Sequence, residues 1–351
     1  MHYNRLGSTG LIVSELCLGT MTFGTNPGRF GAIAGLDQDA STALVRQAFD
    51  AGINFVDTAN VYTTGQSEEF TGGAIRALGL KRSGLVLATK AMGTMGEGAN
   101  DAGTSRKHLL DQIDASLKRL GTDYVDLYQI HGWDRQTPIE EALRALDDIV
   151  RTGRARYIGV SNWAAWQIVK ALGISERLGL ERFASLQAYY TVAGRDLERE
   201  IVPMLQSEGV GLMVWSPLAG GLLSGKYSRD ADGAKKGEGR RAVFDFPIVD
   251  EDRAWNVIDA MRAIADARGI TVAQVALAWL LYQDVVSTVI VGAKRADQLA
   301  DNIAATTVEL SAADLETLNA VSALPREYPG WMMEMQGPYR DTKVTPRRVP
   351  G

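Results

Sequence analysis

The chain has 351 residues and a formal net charge of −5, because 42 Asp and Glu outnumber 37 Lys and Arg. Its composition, 46% hydrophobic and 23% charged, is typical of a folded globular protein and excludes disordered and collagen-like chains. The acidic balance argues against nucleic acid as a partner, and the single cysteine, Cys17, excludes an internal disulfide. No apolar run reaches the roughly 18 residues of a membrane span. We therefore expect a cytoplasmic enzyme that binds neither nucleic acid nor membranes.

Eight short apolar runs predict β-strands at residues 14–19, 53–58, 84–90, 124–131, 156–161, 184–189, 211–216 and 285–291. The runs are continuous rather than alternating, which is typical of a parallel sheet covered by helices. Amphipathic stretches with apolar residues three and four apart predict helices between the strands. These helices are expected at residues 39–51, 67–78, 106–120, 138–152, 163–171, 197–208 and 253–267, and two more follow the last strand at 295–304 and 312–321.

Eight strand-then-helix units over about 300 residues predict an α/β fold of the (β/α)8 TIM barrel type. No linker divides the chain, so we expect a single domain over residues 1–351 with its core at about 4–322. Two long loops, residues 91–105 and 218–250, follow strands, and in a barrel such loops lie on the catalytic face. The tail at 323–351 carries prolines and aromatic residues and is a candidate lid over a substrate.

Four polar side chains are expected to converge at the mouth of this barrel. Asp57, Lys90 and His131 lie at the C-terminal ends of the second, third and fourth predicted strands, and Tyr62 lies in the loop after the second. A buried Lys90 needs a charged partner, which Asp57 can supply. The ammonium would then stabilise the phenolate of Tyr62 and lower the pKa of its hydroxyl, so that Tyr62 could act as a general acid near neutral pH. His131 could orient a carbonyl oxygen through a hydrogen bond.

These residues lie in segments that resemble the aldo-keto reductase superfamily. The segments are GINFVDTANVY at 52–62, ATK at 88–90 and DYVDLYQIH at 123–131, and the resemblance continues in the same order through RYIGVSN at 156–162, WSPLAGG at 215–221 and IVGAKRADQLADN at 290–302. The resemblance covers about residues 4–320. The motif GAKR is closer to the bacterial and channel-β-subunit-like branches than to the mammalian steroid and aldose reductases.

The resemblance implies an oxidoreductase that uses NADPH to reduce an aldehyde or a ketone to an alcohol, leaving NADP+. Use of NADH stays open. The sequence matches the catalytic tetrad of the family at Asp57, Tyr62, Lys90 and His131. In the family, the tyrosine protonates the carbonyl oxygen while hydride from the nicotinamide reaches the carbonyl carbon.

The resemblance also implies a set of cofactor contacts. Two adjacent cations, Lys294 and Arg295, stand at a predicted helix start and suit the 2′-phosphate of NADPH better than the hydroxyl of NADH. The implied contacts are Gly19, Thr20, Met21, Asp57 and Gly292 beside the cofactor, Ser161, Asn162 and Gln187 at the carboxamide, Trp215 against the nicotinamide ring, Ser216, Leu218, Gly220 and Lys226 along the pyrophosphate, Lys294, Arg295 and Gln298 at the 2′-phosphate, and Asp301 and Asn302 at the adenine.

Aromatic residues after the strands predict an apolar substrate pocket above Tyr62 and His131. The candidates are Phe23, Trp133, Trp163 and the tail residue Trp331. Such a mouth favours carbonyl compounds with hydrophobic or ring substituents. The three histidines show no metal-ligand spacing, so we expect no metal. The sequence leaves a monomer and a homo-oligomer equally open.

Two other functions compete with the reductase. The first is a redox-sensing partner protein that binds NADPH with little turnover, as channel β-subunits would. The second is an aldolase that forms a Schiff base on Lys90, since a strand-end lysine in a barrel can attack a carbonyl. Pairing with Asp57 argues against the aldolase, because it keeps Lys90 protonated and a poor nucleophile.

Overall fold

The computed structural model describes residues 1–26, 33–229, 235, 236, 241 and 244–339. A short antiparallel hairpin comes first, with β1 (Tyr3–Arg5) paired to β2 (Ile12–Ser14). Eight parallel strands close into a barrel in chain order, and the last pairs with the first: β3 (Leu16–Gly19), β4 (Phe55–Asp57), β5 (Val86–Ala91), β6 (Val125–Ile130), β7 (Ala155–Ser161), β8 (Phe183–Tyr189), β9 (Gly211–Trp215) and β12 (Val286–Val291). A two-residue ribbon, β10 (Ser228–Arg229) with β11 (Lys235–Lys236), lies between β9 and β12 in the chain.

Helices follow the barrel strands and cover the barrel. They are α1 (Gln38–Asp50), α2 (Gln66–Ala77), α3 (Arg106–Leu120), α4 (Ile139–Arg151), α5 (Ala165–Leu178), α6 (Ile201–Glu208), α7 (Glu251–Arg268), α8 (Val272–Leu281), α9 (Ala296–Ala304), α10 (Ala312–Val321) and α11 (Gly330–Gln336). Local signals fix their ends, as α3 illustrates. The Ser105 side chain accepts a hydrogen bond from the His108 nitrogen at its start, and Gly121 ends it in the left-handed region at φ +67°.

The apolar core has two layers, one between the helices and the barrel and one inside the barrel. Phe55 and Leu127 are fully buried members of the inner layer. The β1–β2 hairpin closes the end of the barrel where the strands begin, because Leu6 joins the inner layer. Beside it, a Cβ on Gly7 would lie 2.5 Å from the backbone nitrogen of Gly211, the first residue of β9. The opposite end of the barrel, where the strands finish, is the face on which the sequence places the candidate catalytic residues.

The predicted TIM barrel is confirmed, and all eight predicted strands overlap barrel strands. The strand expected at 14–19 is divided at Glu15, whose carboxylate accepts a 2.6 Å hydrogen bond from the backbone nitrogen of His2. The helix expected at 163–171 begins at Ala165 and continues to Leu178. The single domain remains a prediction.

Six of the strands and helices given above were not predicted: β1, β2, β10, β11, α8 and α11. Helix α8 is buried on nearly every side and so lacks an amphipathic pattern. The expected loop at 218–250 lies only partly within the described residues, and residues 340–351 of the expected tail lie outside them. In the described part of the chain no single helix is long and apolar enough to cross a membrane, although α7 and α8 satisfy length and composition together across a 102° bend.

Candidate active site

The parallel strand register brings the predicted catalytic residues to the mouth of the barrel. Asp57 is the last residue of β4, Lys90 is the fifth of six in β5, and His131 directly follows β6. Tyr62 begins a 3₁₀ turn over Tyr62–Gly65, between β4 and α2. Because parallel strands end on the same face of a barrel, residues separated by 74 positions in sequence meet in one cluster.

Lys90 and Asp57 form a buried ion pair. Lys90 Nζ lies 2.5 Å from Asp57 Oδ2, and it also donates a 2.8 Å hydrogen bond to the carbonyl oxygen of Thr58. Lys90 is fully buried and Asp57 is 2% exposed. Burial lowers the pKa of Lys90, but the charge of Asp57 and the neighbouring hydrogen bonds outweigh it and raise the pKa above its ordinary value. The lysine is therefore a fixed cation.

Two buried amides hold the second oxygen of Asp57. Gln129 Nε2 donates to Asp57 Oδ1 at 3.1 Å, and Gln187 Nε2 donates to the same oxygen at 2.9 Å. Gln187 was predicted as a carboxamide ligand, and its bond to Asp57 connects that position to the ion pair. Gln129 was not predicted, although a lone Gln two residues before His131 in an apolar strand was a usable signal. Asp57 thus accepts hydrogen bonds from side chains on three different strands.

Tyr62 and His131 stand on the open side of the ion pair. Lys90 Nζ lies 3.5 Å from the Tyr62 hydroxyl oxygen and 5.0 Å from the centre of its ring. The Tyr62 and His131 rings meet edge to face, with centroids 5.6 Å apart. Tyr62 is 8% exposed and His131 is half-buried, so both reach the surface of the mouth. The four predicted catalytic side chains therefore form one contiguous group.

A second polar chain extends from this group across β7 and β9. Trp215 Nε1 donates to Asn162 Oδ1 at 2.9 Å, and Asn162 Nδ2 donates to Ser161 Oγ at 3.0 Å. Ser161 pairs in register with Gln187 on β8. The four residues predicted at the nicotinamide end thus lie on three adjacent strand ends, with the Trp215 indole at the rim.

The segment after β9 turns tightly. Ser216 adopts φ +51° and its Oγ accepts a 3.0 Å hydrogen bond from the Gly220 nitrogen. A side chain at Gly220 is impossible, because its Cβ would lie 2.4 Å from the carbonyl oxygen of Phe246. Leu218 begins the turn, and Lys226, an exposed residue, follows it. Burial lowers the pKa of Lys226, and the charge of Arg295 lowers it further. The two cations are therefore close enough to repel each other.

The predicted phosphate ligands lie at the start of α9. Lys294 Nζ donates to the carbonyl oxygen of Ala34 at 3.0 Å, and the Lys294 nitrogen donates to Gln298 Oε1 at 3.0 Å. Arg295 pairs with Asp297 at 2.8 Å, and both side chains are exposed. An exposed pair of this kind is weak, so Arg295 is available to another anion.

Other predicted cofactor contacts have differing exposure. Gly19 and Met21 are half-buried and Gly292 is exposed. The Thr20 side chain is fully buried, 2.9 Å from Ser67 Oγ, and its contact with a cofactor stays a prediction. Asp301 accepts hydrogen bonds from Thr271 and Gln274 at the start of α8, and Asn302 is buried. Their contact with adenine stays a prediction.

The predicted substrate aromatics divide into two groups. Phe23 is fully buried and Trp163 is 4% exposed, which argues against direct contact with a substrate. Trp133 is half-buried and packs edge to face on Trp163, with ring centroids 4.8 Å apart. Trp166, which was not predicted, lies 6.1 Å from Trp133 and is 61% exposed. Trp331 lies on α11, its ring 6.1 Å from that of Tyr328.

Two residues near the Gly220 turn were also missed. The Phe246 ring stacks on Trp215 at 5.8 Å with an angle of 8° between the planes. Arg241 is buried and donates to the carbonyl oxygens of Ala219 and Pro247, at 3.0 and 2.8 Å. Both lie within the predicted loop at 218–250, and the sequence pattern did not indicate which residues of that loop would contact the barrel.

Comparison with known proteins agrees with this geometry. A sequence model of the Aldo/keto reductase family matches residues 15–323, a range that includes all eight barrel strands. A probable voltage-gated potassium channel subunit beta of Arabidopsis thaliana is 40% identical over 313 residues, which is 88% of this chain and 92% of that protein. A versiconal hemiacetal acetate reductase of Aspergillus parasiticus is 36% identical over 348 residues, 94% and 99% of the two chains. An uncharacterized oxidoreductase of Bacillus subtilis is 36% identical over 331 residues, 92% and 96% of the two chains.

Proposed function

The chain belongs to the aldo/keto reductase family, and on that premise we propose that it reduces an aldehyde or a ketone to an alcohol, with NADPH as hydride source and Tyr62 as proton donor. One observation carries the proposal. The buried ammonium of Lys90 is held by Asp57 at 2.5 Å and lies 3.5 Å from the Tyr62 hydroxyl, at the open end of a barrel.

The charges and hydrogen bonds of the site suggest a separate role for each residue. Reduced nicotinamide, when bound, supplies hydride to the carbonyl carbon. Tyr62 then gives its hydroxyl proton to the carbonyl oxygen, so that C=O becomes CH–OH and a phenolate remains on Tyr62. The Lys90 ammonium stabilises that phenolate, and Asp57 holds the ammonium in place. His131, edge-on to the Tyr62 ring, donates a hydrogen bond that orients the carbonyl oxygen.

The aldolase alternative fits these contacts poorly. A Schiff base requires a neutral amine, whereas the pKa of Lys90 is raised and its Nζ donates to both Asp57 and Thr58. Lys90 has no exposed surface from which to attack a substrate. Borohydride trapping with a carbonyl substrate should therefore leave Lys90 unlabelled.

The residues present fit a nicotinamide dinucleotide with an additional phosphate. The cations Lys226 and Arg295 share one neighbourhood, and Lys294 lies next to Arg295 in sequence. Among the described residues, Arg241 Nε is buried without a hydrogen-bond partner beside the Gly220 turn, where a phosphate oxygen could accept from it. Trp215, Asn162 and the amide chain would hold the nicotinamide, and the α9 start would hold the 2′-phosphate. These features support NADPH over NADH.

The aromatic residues near the mouth of the barrel indicate the class of substrate. Trp133, two residues after His131 in the chain, packs against the exposed ring of Trp166, so we expect carbonyl compounds that carry a hydrophobic or ring substituent. The test is loss of NADPH absorbance with a panel of aromatic aldehydes, cyclic ketones and keto-sugars, repeated with NADH. Turnover that favours NADPH and ring-bearing carbonyls supports the proposal. Tight NADPH binding without turnover on any member contradicts it.

That last outcome would favour a second candidate, an NADPH-binding partner of a membrane channel. The observation behind it is the 40% identity to a protein described as a probable channel subunit beta. Co-purification of the tagged protein with one channel, together with negligible carbonyl turnover, would establish it.

A further inference from the structure

A second ion pair, in which the carboxylate is buried and the arginine is half-buried, lies near the Tyr62 turn and takes no part in the chemistry described above. Glu68, in the first turn of α2, has no exposed surface. Its Oε2 accepts a 2.6 Å hydrogen bond from Arg119 Nε, and its Oε1 accepts a 2.5 Å hydrogen bond from Thr89 Oγ1. A buried carboxylate is costly unless it is paired and hydrogen-bonded in this way.

The two oxygens of Glu68 bind different parts of the site. Thr89 immediately precedes Lys90 on β5, so Oε1 is fixed to the strand that carries the ammonium. Arg119 lies at the end of α3, so Oε2 is fixed to the helix layer. Glu68 itself lies only six residues after Tyr62. One side chain therefore joins the Tyr62 turn to the strand of its catalytic neighbour.

The Tyr62 turn needs such support because its backbone is strained. Thr63 and Thr64 adopt left-handed φ values of +47° and +55°, which cost free energy in residues with a Cβ. Gly65 follows at φ +93°, and a Cβ there would lie 2.7 Å from Arg119 Cδ. Arg119 thus packs directly against the turn while its guanidinium holds Glu68.

We propose that Glu68, through Arg119 and Thr89, is a positioning residue that sets the distance between the Tyr62 hydroxyl and Lys90 Nζ. The inference rests on the proposed proton-donor role of Tyr62. Without the pair, the turn can relax and Tyr62 can move away from the ammonium. A displacement of about 1 Å at a reacting group can lower a rate by roughly a hundredfold.

The test compares Glu68→Gln with the wild type and with a matched control, Asp147→Asn. Asp147 is also a buried carboxylate, 2.5 Å from Arg151 Nε, but it lies on α4 away from the mouth. We expect Glu68→Gln to lower kcat by about tenfold to a hundredfold with unchanged NADPH affinity, and to move the alkaline limb of the kcat/KM profile. Asp147→Asn should move neither.

Further outcomes distinguish failure of the positioning role from failure of the proposed function. Absence of turnover in the wild type defeats the proposed function, whereas wild-type turnover with an unchanged Glu68→Gln defeats the positioning role alone. If Glu68→Gln does not fold, Thr89→Val should show the same kinetic defect and Thr89→Ser, which keeps the hydroxyl, should not. Without substrate, the tyrosinate absorbance step that Tyr62→Phe removes should shift its midpoint in Glu68→Gln, and an unmoved midpoint contradicts the proposal.

Discussion

Replacing Asp57 by Asn should destabilise the protein by about 3–5 kcal/mol at neutral pH, because a fully buried Lys90 loses its counter-charge. The variant could instead release the lysine proton. At pH 7, about 3.4 units below the ordinary lysine pKa of roughly 10.4, that release costs about 4.6 kcal/mol, so the two routes give similar losses.

The pH dependence of this loss separates it from ordinary packing damage. In the wild type the pKa of Lys90 is raised, so the ion pair stabilises the fold fully below the ordinary lysine pKa and stops doing so as pH rises through the raised value. In Asp57→Asn, deprotonation of Lys90 costs about 1.4 kcal/mol less for each unit by which the pH rises. The difference from the wild type should therefore shrink to about 2 kcal/mol at pH 9 if Lys90 folds neutral.

Urea unfolding followed by tryptophan fluorescence, at several pH values, measures both quantities. Asp147→Asn is the control, because its partner Arg151 is exposed and stays hydrated when unpaired. The double variant Asp57→Asn, Lys90→Met should regain much of the stability, since no charge is left buried. A loss below about 1 kcal/mol at pH 7, or a loss independent of pH, would refute the assignment of a charged, buried Lys90.

Three other substitutions test the rest of the site. Changing Lys294 and Arg295 together to Ala should weaken NADPH binding and leave NADH binding unchanged, because only NADPH carries the 2′-phosphate; a fluorescence titration with each cofactor measures this. Trp133→Ala should raise KM about tenfold for aromatic carbonyls and less for short aliphatic ones, as steady-state kinetics would show. Asp134→Asn should raise KM with little change in kcat, because its carboxylate anchors the loop after β5 through Thr104.

The wild type should show the same rise in KM at acidic pH, where Asp134 becomes protonated. Burial raises the pKa of Asp134, but hydrogen bonds from Gln136, Thr137 and Thr104 outweigh it and lower the pKa below its ordinary value. The anchoring is therefore complete above about pH 4 and is lost as pH falls through the lowered pKa. If the Lys294 and Arg295 variant binds both cofactors equally weakly, these residues do not bind the 2′-phosphate. If Trp133→Ala changes KM equally for all carbonyls, Trp133 does not line the substrate pocket. If Asp134→Asn has the KM of the wild type, the Asp134 carboxylate does not anchor the loop.

The barrel, and the meeting of Asp57, Tyr62, Lys90 and His131 at its mouth, were predictable from the sequence because the strands and their ends have distinct sequence patterns. Buried strands are continuous apolar runs, and polar residues such as Asp57 and Lys90 stand out where the runs stop. Helix α8 was missed for the opposite reason, since a helix that is apolar on nearly every side has no periodicity to detect. Glu68 looks like an ordinary exposed residue of a first helical turn, and only the three-dimensional packing reveals that it is buried.

The positions of the side chains proposed to contact cofactor and substrate were less predictable, because many of them lie in loops. Thr20 directs its side chain to Ser67, and Phe23 packs into the core, which strand position alone could not show. Phe246 reaches Trp215 from within the predicted loop at 218–250. The path of such a loop depends on contacts that are distant in sequence.

The proposed delivery of the proton by Tyr62 can be tested in a single-turnover experiment. Wild type and Tyr62→Phe are each loaded with NADPH and mixed with an aromatic aldehyde, and the loss of NADPH absorbance is followed. We predict equal NADPH affinity and a rate lower by about 10² to 10⁴ in Tyr62→Phe, because the ring stays in place without its acidic proton. Equal rates in the two proteins, or a parallel loss of NADPH binding in Tyr62→Phe, would contradict the account.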